Sequence, residues 1–266
     1  MCRLFRVRYL AQRLFFFNTA RYIIVSGLAF LIFYVLLKDK ISFKKLQLKY
    51  PTLTDYKREI LYSIGTIVIF VIVGLTVFAT PLRAHTMLYE NFGDHSWSYW
   101  FLSIFLMIIL HDAYFYWTHR AMHHPTLFKW IHLVHHKSTN PSPWASYAFH
   151  PLEGFVEAGI IIPIAFFIPF HLSALFVFLL FMMFYNVYGH LGFEIFPAKL
   201  HTHPIGKYIN TSIDHNVHHK YFKGNYGLYF LFWDRWMGTY SDKSEVLLAE
   251  VEGRKAMEET SVFETS

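Results

Sequence analysis

Runs of apolar residues, broken by short polar stretches, dominate the first two thirds of the chain. A helix crossing a bilayer core of about 30 Å needs roughly 20 mostly apolar residues. Tyr22 to Leu37 is uncharged and slightly short of that, Ile60 to Leu82 is the cleanest span, and Trp97 to Trp117 is a third. A fourth apolar region, Phe155 to Tyr188, is interrupted by Pro163, Pro169 and His171. Proline removes a backbone donor and breaks a helix, so this region predicts a broken pair of helices forming a hairpin. The pattern therefore predicts an all-α, multi-pass membrane bundle of about four spans, the last a Pro-broken hairpin.

The polar segments set a provisional sidedness. The stretch 38–59 carries Lys38, Lys40, Lys44, Lys45, Lys49, Lys57 and Arg58, whereas 83–96 carries Arg83 alone. Basic residues favour the cytoplasmic side, so 38–59 is expected inside, 83–96 outside, and everything after the third span inside again. The N-terminal Arg3, Arg6, Arg8 and Arg13 conflict with this, because both flanks of the first span become basic. Lacking a cleavage pattern, the start reads as a retained basic arm, and a first segment lying in the interface or forming a shallow hairpin would resolve the conflict.

Composition agrees with a membrane-embedded protein. Charged residues make up 16% of the 266 residues, against about 25% in ordinary soluble domains. The single cysteine, Cys2, excludes a disulfide scaffold. The net charge of +6 comes from basic residues flanking spans and forms no single stripe, which argues against nucleic-acid binding. The organisation expected is 1–99 as N-terminal basic arm and first spans, 100–240 as a domain with a cytosolic helical cap, and 241–266 as a charged, flexible tail.

The chemistry lies in the histidines, of which fifteen of 17 fall between His111 and His219. They form an H-x3-H-H group (His119, His123, His124) and two H-x-x-H-H triplets (His132, His135, His136 and His215, His218, His219). Residues four apart share a helix face, so His119 and His123 can hold one ion, and each triplet can project all three rings into one space. Imidazole suits Fe, Zn, Cu or Ni. Eight such donors overfill one ion that also admits substrate, so two metal ions are expected. Without metal, so many packed imidazoles would leave unsatisfied donors and would repel one another once protonated. A lone histidine is more often an ordinary core or surface residue, and His85, His95 and His171 are assigned to that class. Asp112, Asp214 and Glu153 are candidates to orient imidazole N–H groups.

These motifs and their flanks, HDAYFYWTHRAMHH, FKWIHLVHHKSTNPSPWASYAFHPLE, NVYGHLGFE and DHNVHHKYFKGNYGLYFLFWDRWMGT, resemble the fatty acid hydroxylase/sterol desaturase superfamily of membrane di-iron oxygenases. The P-S-P-W-A-S-x-A-F-H-P run and the closing N-Y-G…F-W-D-R-x-x-G-T look most like its C-5 sterol desaturase branch. The resemblance covers roughly residues 100–240. It implies metal ligation by His119, His123, His132, His135, His136, His215, His218 and His219, and by His190 in the segment after the hairpin. His150 matches a recurrent family position that either binds metal or shapes the pocket. His203 and His124 are weaker ligand candidates, and His111 is an extra residue without an assignment.

It further implies two iron ions and O2 as co-substrate, acting on a C–H bond of a sterol-like or other apolar lipid, by desaturation or hydroxylation. Trp144, Tyr147 and Phe149 are candidate pocket residues. Full reduction of O2 takes more electrons than the substrate gives. With no nucleotide fingerprint or cysteine cluster here, an external donor is expected: a b-type cytochrome, or a ferredoxin with its reductase. It would dock near Lys129, Lys137, Lys220 and Lys223. The expected location is a bacterial inner membrane or the endoplasmic reticulum, with the catalytic face cytosolic. Competing readings are a His-rich metal transporter and a zinc hydrolase.

Overall fold

The computed structural model of the protein describes the backbone of residues 2–265. Helix α1 (Cys2–Phe30) runs on through a wider turn, Leu31–Leu36, and is followed by α2 (Leu53–Phe78) and α3 (Trp97–Met122). Short helices α4 (Pro125–Ile131) and α5 (Leu133–His136) lead to α6 (Pro151–Ala158), α7 (Ile161–Phe167) and α8 (Leu172–Gly189). The remainder comprises α9 (Lys199–Thr202), α10 (Ser212–Tyr221), α11 (Phe232–Trp236) and α12 (Lys243–Thr265). Two-residue strands, Leu88–Tyr89 and Phe170–His171, pair in parallel and tie the α2–α3 connection to the turn before α8.

Four helices are long and apolar enough to cross a membrane: Leu4–Leu36, Leu53–Phe78, Trp97–Met122 and Leu172–Gly189. Their outward faces leave Ile64, Val68, Phe101, Phe105, Phe176 and Phe184 uncovered by protein, as suits side chains solvated by lipid. The hairpin is present: α6 and α7 form its broken first arm and α8 its second. The start and end of α2 and α3 are set by local chemistry. Thr52 and Asp55 form a reciprocal capping box before α2, and Ser96 accepts the Tyr99 N–H before α3.

Two expectations are corrected. The first span does not begin at Tyr22 after a basic arm. Residues 2–21 are already helical, and part of that stretch packs, with Leu14 against Gly74 and Phe17 against Phe176 at a ring separation of 4.9 Å. Arginine can lie along an apolar helix with its head directed to a polar partner, and Arg13 sits over the Tyr9 ring at 4.3 Å. The segment is one continuous helix, so the shallow hairpin is absent. Residues 243–265 of the tail are helical, and the first part of α12 is not loose: it docks Leu247 and Val251 on Ile213 and Val217 of α10 and on Leu46.

Apolar packing divides the bundle into two levels. At one end, Met107, Ile164, Phe178 and Val77 join α2, α3, α7 and α8. Nearer the other end, Tyr22, Ile67, Tyr147 and Met183 join α1, α2 and α8 to the 143–149 segment. All the connections that carry histidine boxes gather at this second end.

Candidate metal centre

Nine imidazoles meet in two sets. The ligand atoms of His119, His123, His132, His136 and His218 lie within 4.8 Å of one another, and so do those of His135, His190, His215 and His219. These are the nine residues that the family resemblance nominates. The triplets, however, do not each serve one ion. His132 and His136, four apart, enter the first set while His135 enters the second. On α10, His215 and His219 enter the second set while His218 enters the first. Residues four apart share a face, and the third projects to the other side. The two triplets therefore interlock, each giving a pair to one set and a single ring to the other.

The elements that aim these rings are specific. His119 lies in the last turn of α3 and His123 is its C-cap. Leu133–His136 form the single turn α5, and His190 is the C-cap of α8. Helix α10 begins with a capping box in which Thr211 N–H and Oγ1 donate to the Asp214 carboxylate. Asp214 thus fixes the start of the third box, and its carboxylate does not touch an imidazole.

Ring orientation is imposed from behind. Nδ1 of His119 donates to Tyr226 O, His218 to Gly224 O, His219 to Ser138 O and His190 to Asn186 O, all at 2.7–2.9 Å. A neutral imidazole with its proton on Nδ1 presents a bare lone pair at Nε2. Those Nε2 atoms face other Nε2 atoms: His119 to His132 at 3.0 Å, His218 to His123 at 3.2 Å, and His190 and His219 to His215 at 3.0 and 3.1 Å. His215 has one Nε2 and can offer a single proton, so it cannot satisfy both neighbours. A cation among the nitrogens resolves each set, and the donor chemistry fits a borderline transition metal.

Electrostatics agree. Burial, followed by the neighbouring rings, holds His132, His135, His136, His215, His218 and His219 well below the ordinary histidine range, and burial lowers His190 to about 4. Neutral imidazole is the form that binds metal. The sign of the pH dependence follows. A histidine neutral in the fold and protonated once unfolded leaves stability intact above about pH 6.5, and each then costs roughly 1.4 kcal/mol per pH unit below it. Chelator-treated protein is therefore expected to melt far lower at pH 5.5 than at pH 7.5, with metal-loaded protein less affected. Thermal melts followed by circular dichroism check this.

Glu153 of α6 accepts from His132 Nδ1 at 2.6 Å, the orienting role expected of it. Burial pushes this carboxyl well above its ordinary range, so a buried carboxylate here calls for the positive charge that a metal on His132 brings. Asp112 has a different role from the one expected: its Oδ1 accepts the Tyr229 and Phe230 backbone N–H groups and meets no ligand ring. His111 bonds Tyr229 Oη.

His150, His203 and His124 stand apart from the nitrogen sets. His150 Nδ1 caps α6 by accepting Leu152 N–H, His203 Nδ1 accepts from Ile205 and Gly206, and His124 pairs with Thr126 at the surface. His95 stacks on Tyr99 and His171 caps α8, both at the opposite end of the bundle. Phe149 packs on the His135 ring at 5.1 Å, Tyr147 stacks on Tyr22, and the Trp144 carbonyl accepts from Tyr22 and Ser63.

Two supports were not foreseen. Glu59 in α2 accepts from Ser138 and Ser142, fixing the loop whose Ser138 carbonyl holds His219. A lone carboxylate opening an apolar run is its only sequence signal. The loop 222–230 supplies the carbonyls for His119 and His218, and Asp234 holds it by accepting from Tyr226 and Gly227 N–H. Gly224 has φ +77, and a Cβ on Gly227 would meet Phe230 O at 2.2 Å, so this tight return requires glycine.

The fold and site together define a membrane-spanning helical protein that closes two adjoining histidine sets at one end of its bundle. A family model described as fatty acid hydroxylase matches residues 104–239, and the chain belongs to that family. It is similar to a Delta(7)-sterol 5(6)-desaturase of Gibberella zeae, 33% identical over 69% of this chain and 55% of the relative. It is also similar to lathosterol oxidase of Rattus norvegicus, 31% identical over 70% of this chain and 62% of the relative. The matched part thus spans less than two thirds of these curated relatives. No solved structure matches the chain.

Proposed function

We propose that the protein is an O2-dependent, membrane-bound di-iron oxidoreductase that desaturates or hydroxylates a C–H bond of a sterol-like lipid. The observation that carries this is the convergence, Nε2 facing Nε2, of nine imidazoles, all buried but the half-buried His123, five in one set and four in the other. His119, His123, His132, His136 and His218 would hold one iron, and His135, His190, His215 and His219 the second. Two bound irons would supply O2-dependent removal of hydrogen from an unactivated C–H bond, which acid–base side chains cannot perform.

The chain's own groups do the rest. Backbone carbonyls hold His119, His190, His218 and His219 and Glu153 holds His132, burial excludes water, and five and four donors leave positions open on six-coordinate ions. That supports iron over a tetrahedral zinc hydrolase. The sets sit together at one end of the spans, unlike ligands strung along a transport path. The relatives' names supply the sterol class. The histidine end carries the basic 38–59 segment, which supports a cytosolic catalytic face.

Electrons would come from a b-type cytochrome, or a ferredoxin with its reductase, at the exposed Lys129, Lys137, Lys220 and Lys223. Reversing these four charges is expected to slow reduction by the donor at least tenfold with bound metal unchanged, the loss growing weaker at high salt. Stopped-flow reduction alongside metal analysis checks it. The function itself is tested by profiling lipids of cells with and without the gene. A lipid that loses one double bond or hydroxyl on deletion is expected, and an unaltered sterol and lipid profile would contradict the reading.

A further inference from the structure

A cavity of about 370 Å³ lies between α1, α2 and α8, within the size range of ligand sites. Its walls are mostly apolar, including Leu14, Phe17, Phe70, Phe176, Leu179 and Met182. Five lining residues are polar: Arg13 and Arg83 are exposed, Glu157 is half-buried, and Asn18 and Arg21 are buried. Arg21 is 5% exposed and finds only neutral acceptors among the described residues, Leu179 O at 2.8 Å and Asn18 Oδ1 at 2.7 Å. Its Nε is buried without any partner. Asn18 is already committed, since its amide donates to Leu14 O. A buried donor left unpaired is costly, and an isolated buried cation more so.

The cavity has a direction. Arg21 lies 5.7 Å from the Tyr147 ring, and Phe70 packs on that ring at 5.1 Å, which marks this as the inner end. Beyond Tyr147 comes Phe149, then His135. On another wall Glu157 follows Glu153, the partner of His132, by one helical turn, about 6 Å along α6. Two rings, Tyr147 and Phe149, thus stand between Arg21 and His135, and Glu153 stands between Glu157 and His132. The far end is bounded by Leu10, Leu88 and Leu172, at the opposite side of the bundle.

We infer that this cavity binds an amphipathic lipid through an oxygen acceptor placed on Arg21, with its apolar body running away toward Leu88 and Leu172. This rests on the reading of the protein as a lipid-oxidising enzyme, and makes Arg21 the residue that selects lipids with a hydroxyl or carboxylate at the inner end. Arg21 is the one buried cation on these walls, and its unpartnered donor in mostly apolar surroundings suits the polar end of an otherwise apolar ligand. Arg21 belongs to α1, which lies outside the region matched by the family model.

Equilibrium binding to the full chain in nanodiscs tests the inference without turnover. The probes are radiolabelled cholesterol and its analogue lacking the hydroxyl, and palmitate against hexadecane. Native protein is expected to prefer the oxygenated member of one pair. Arg21→Met is expected to weaken that member about tenfold and erase the preference, as loss of one charged hydrogen bond requires. Ala158→Phe, on the cavity wall, is expected to weaken both members. A preference confined to cholesterol assigns a hydroxyl, and one confined to palmitate a carboxylate. Circular dichroism checks folding, and Arg21→Gln, which removes the charge and keeps an amide for Leu179 O, is scored by the same ratio should Arg21→Met unfold. Preferences unaltered in the Arg21 variants, or binding unaltered in Ala158→Phe, would overturn the inference. Lipid oxidation plays no part in this readout, so a wrong reaction assignment would leave the binding result standing.

Discussion

His135→Ala is expected to lose one of two bound irons per chain and to reduce lipid oxidation by at least a hundredfold. His135 is buried in the second set, its Nε2 at 3.3 Å from His190 Nε2, and its ring is packed by Phe149. Removing it leaves three imidazoles where four converge, and nothing nearby can replace the missing nitrogen. A metal-ligand loss exceeds the 10–100-fold that loss of an outer orienting partner costs. The first set keeps all five donors, so its ion should stay. His95→Ala serves as the reference: His95 stacks on Tyr99 at the other end of the bundle and should retain both metals and full turnover. Metal analysis with oxidation assays in the same preparations decides this. Full activity in His135→Ala would remove that residue from the ligand set.

Glu153→Leu should be the most damaging change to a residue that touches no metal. The carboxylate holds His132 Nδ1 at 2.6 Å, and both groups are buried. Without it His132 is free to place its proton on Nε2, where it blocks coordination. The expected loss is 10–100-fold in metal affinity or activity. Glu153→Gln should be milder, because the amide oxygen still accepts from Nδ1–H. Asp112→Asn supplies the contrast. Asp112 braces the Tyr229 and Phe230 amides and meets no ligand, so metal content should hold while the melting temperature falls. Equal metal affinity in Glu153→Leu and the native protein would show that His132 needs no orienting partner.

The parts of this architecture legible in the sequence were those with a periodic or compositional signal. Apolar runs located the spans, and Pro163 and Pro169 marked the broken hairpin because proline acts through its own ring. Histidine spacing disclosed the metal chemistry, since four-residue separation on a helix is a local geometric fact. How each triplet divides was not legible, because it depends on where α5 and α10 cross. His150 holds a motif position that binds metal or shapes a pocket, and His203 is a weaker ligand candidate, yet each spends its Nδ1 on the backbone of the following turn. Asp112 was seven residues from His119, a spacing that predicts a shared face, but a loop more than a hundred residues later claimed it first. Glu59 escaped notice because its partners, Ser138 and Ser142, are distant in the chain. Arginines near the N-terminus suggested a polar arm, since charge count says nothing of helical packing against α2 and α8.

The most direct test of the central claim is Mössbauer spectroscopy, with metal analysis, on protein expressed with iron-57 and purified anaerobically. Two irons per chain, in nitrogen-rich sites that change together on exposure to O2 and donor, are the predicted result. A single ion, or zinc at full occupancy in protein that oxidises lipid, would contradict it.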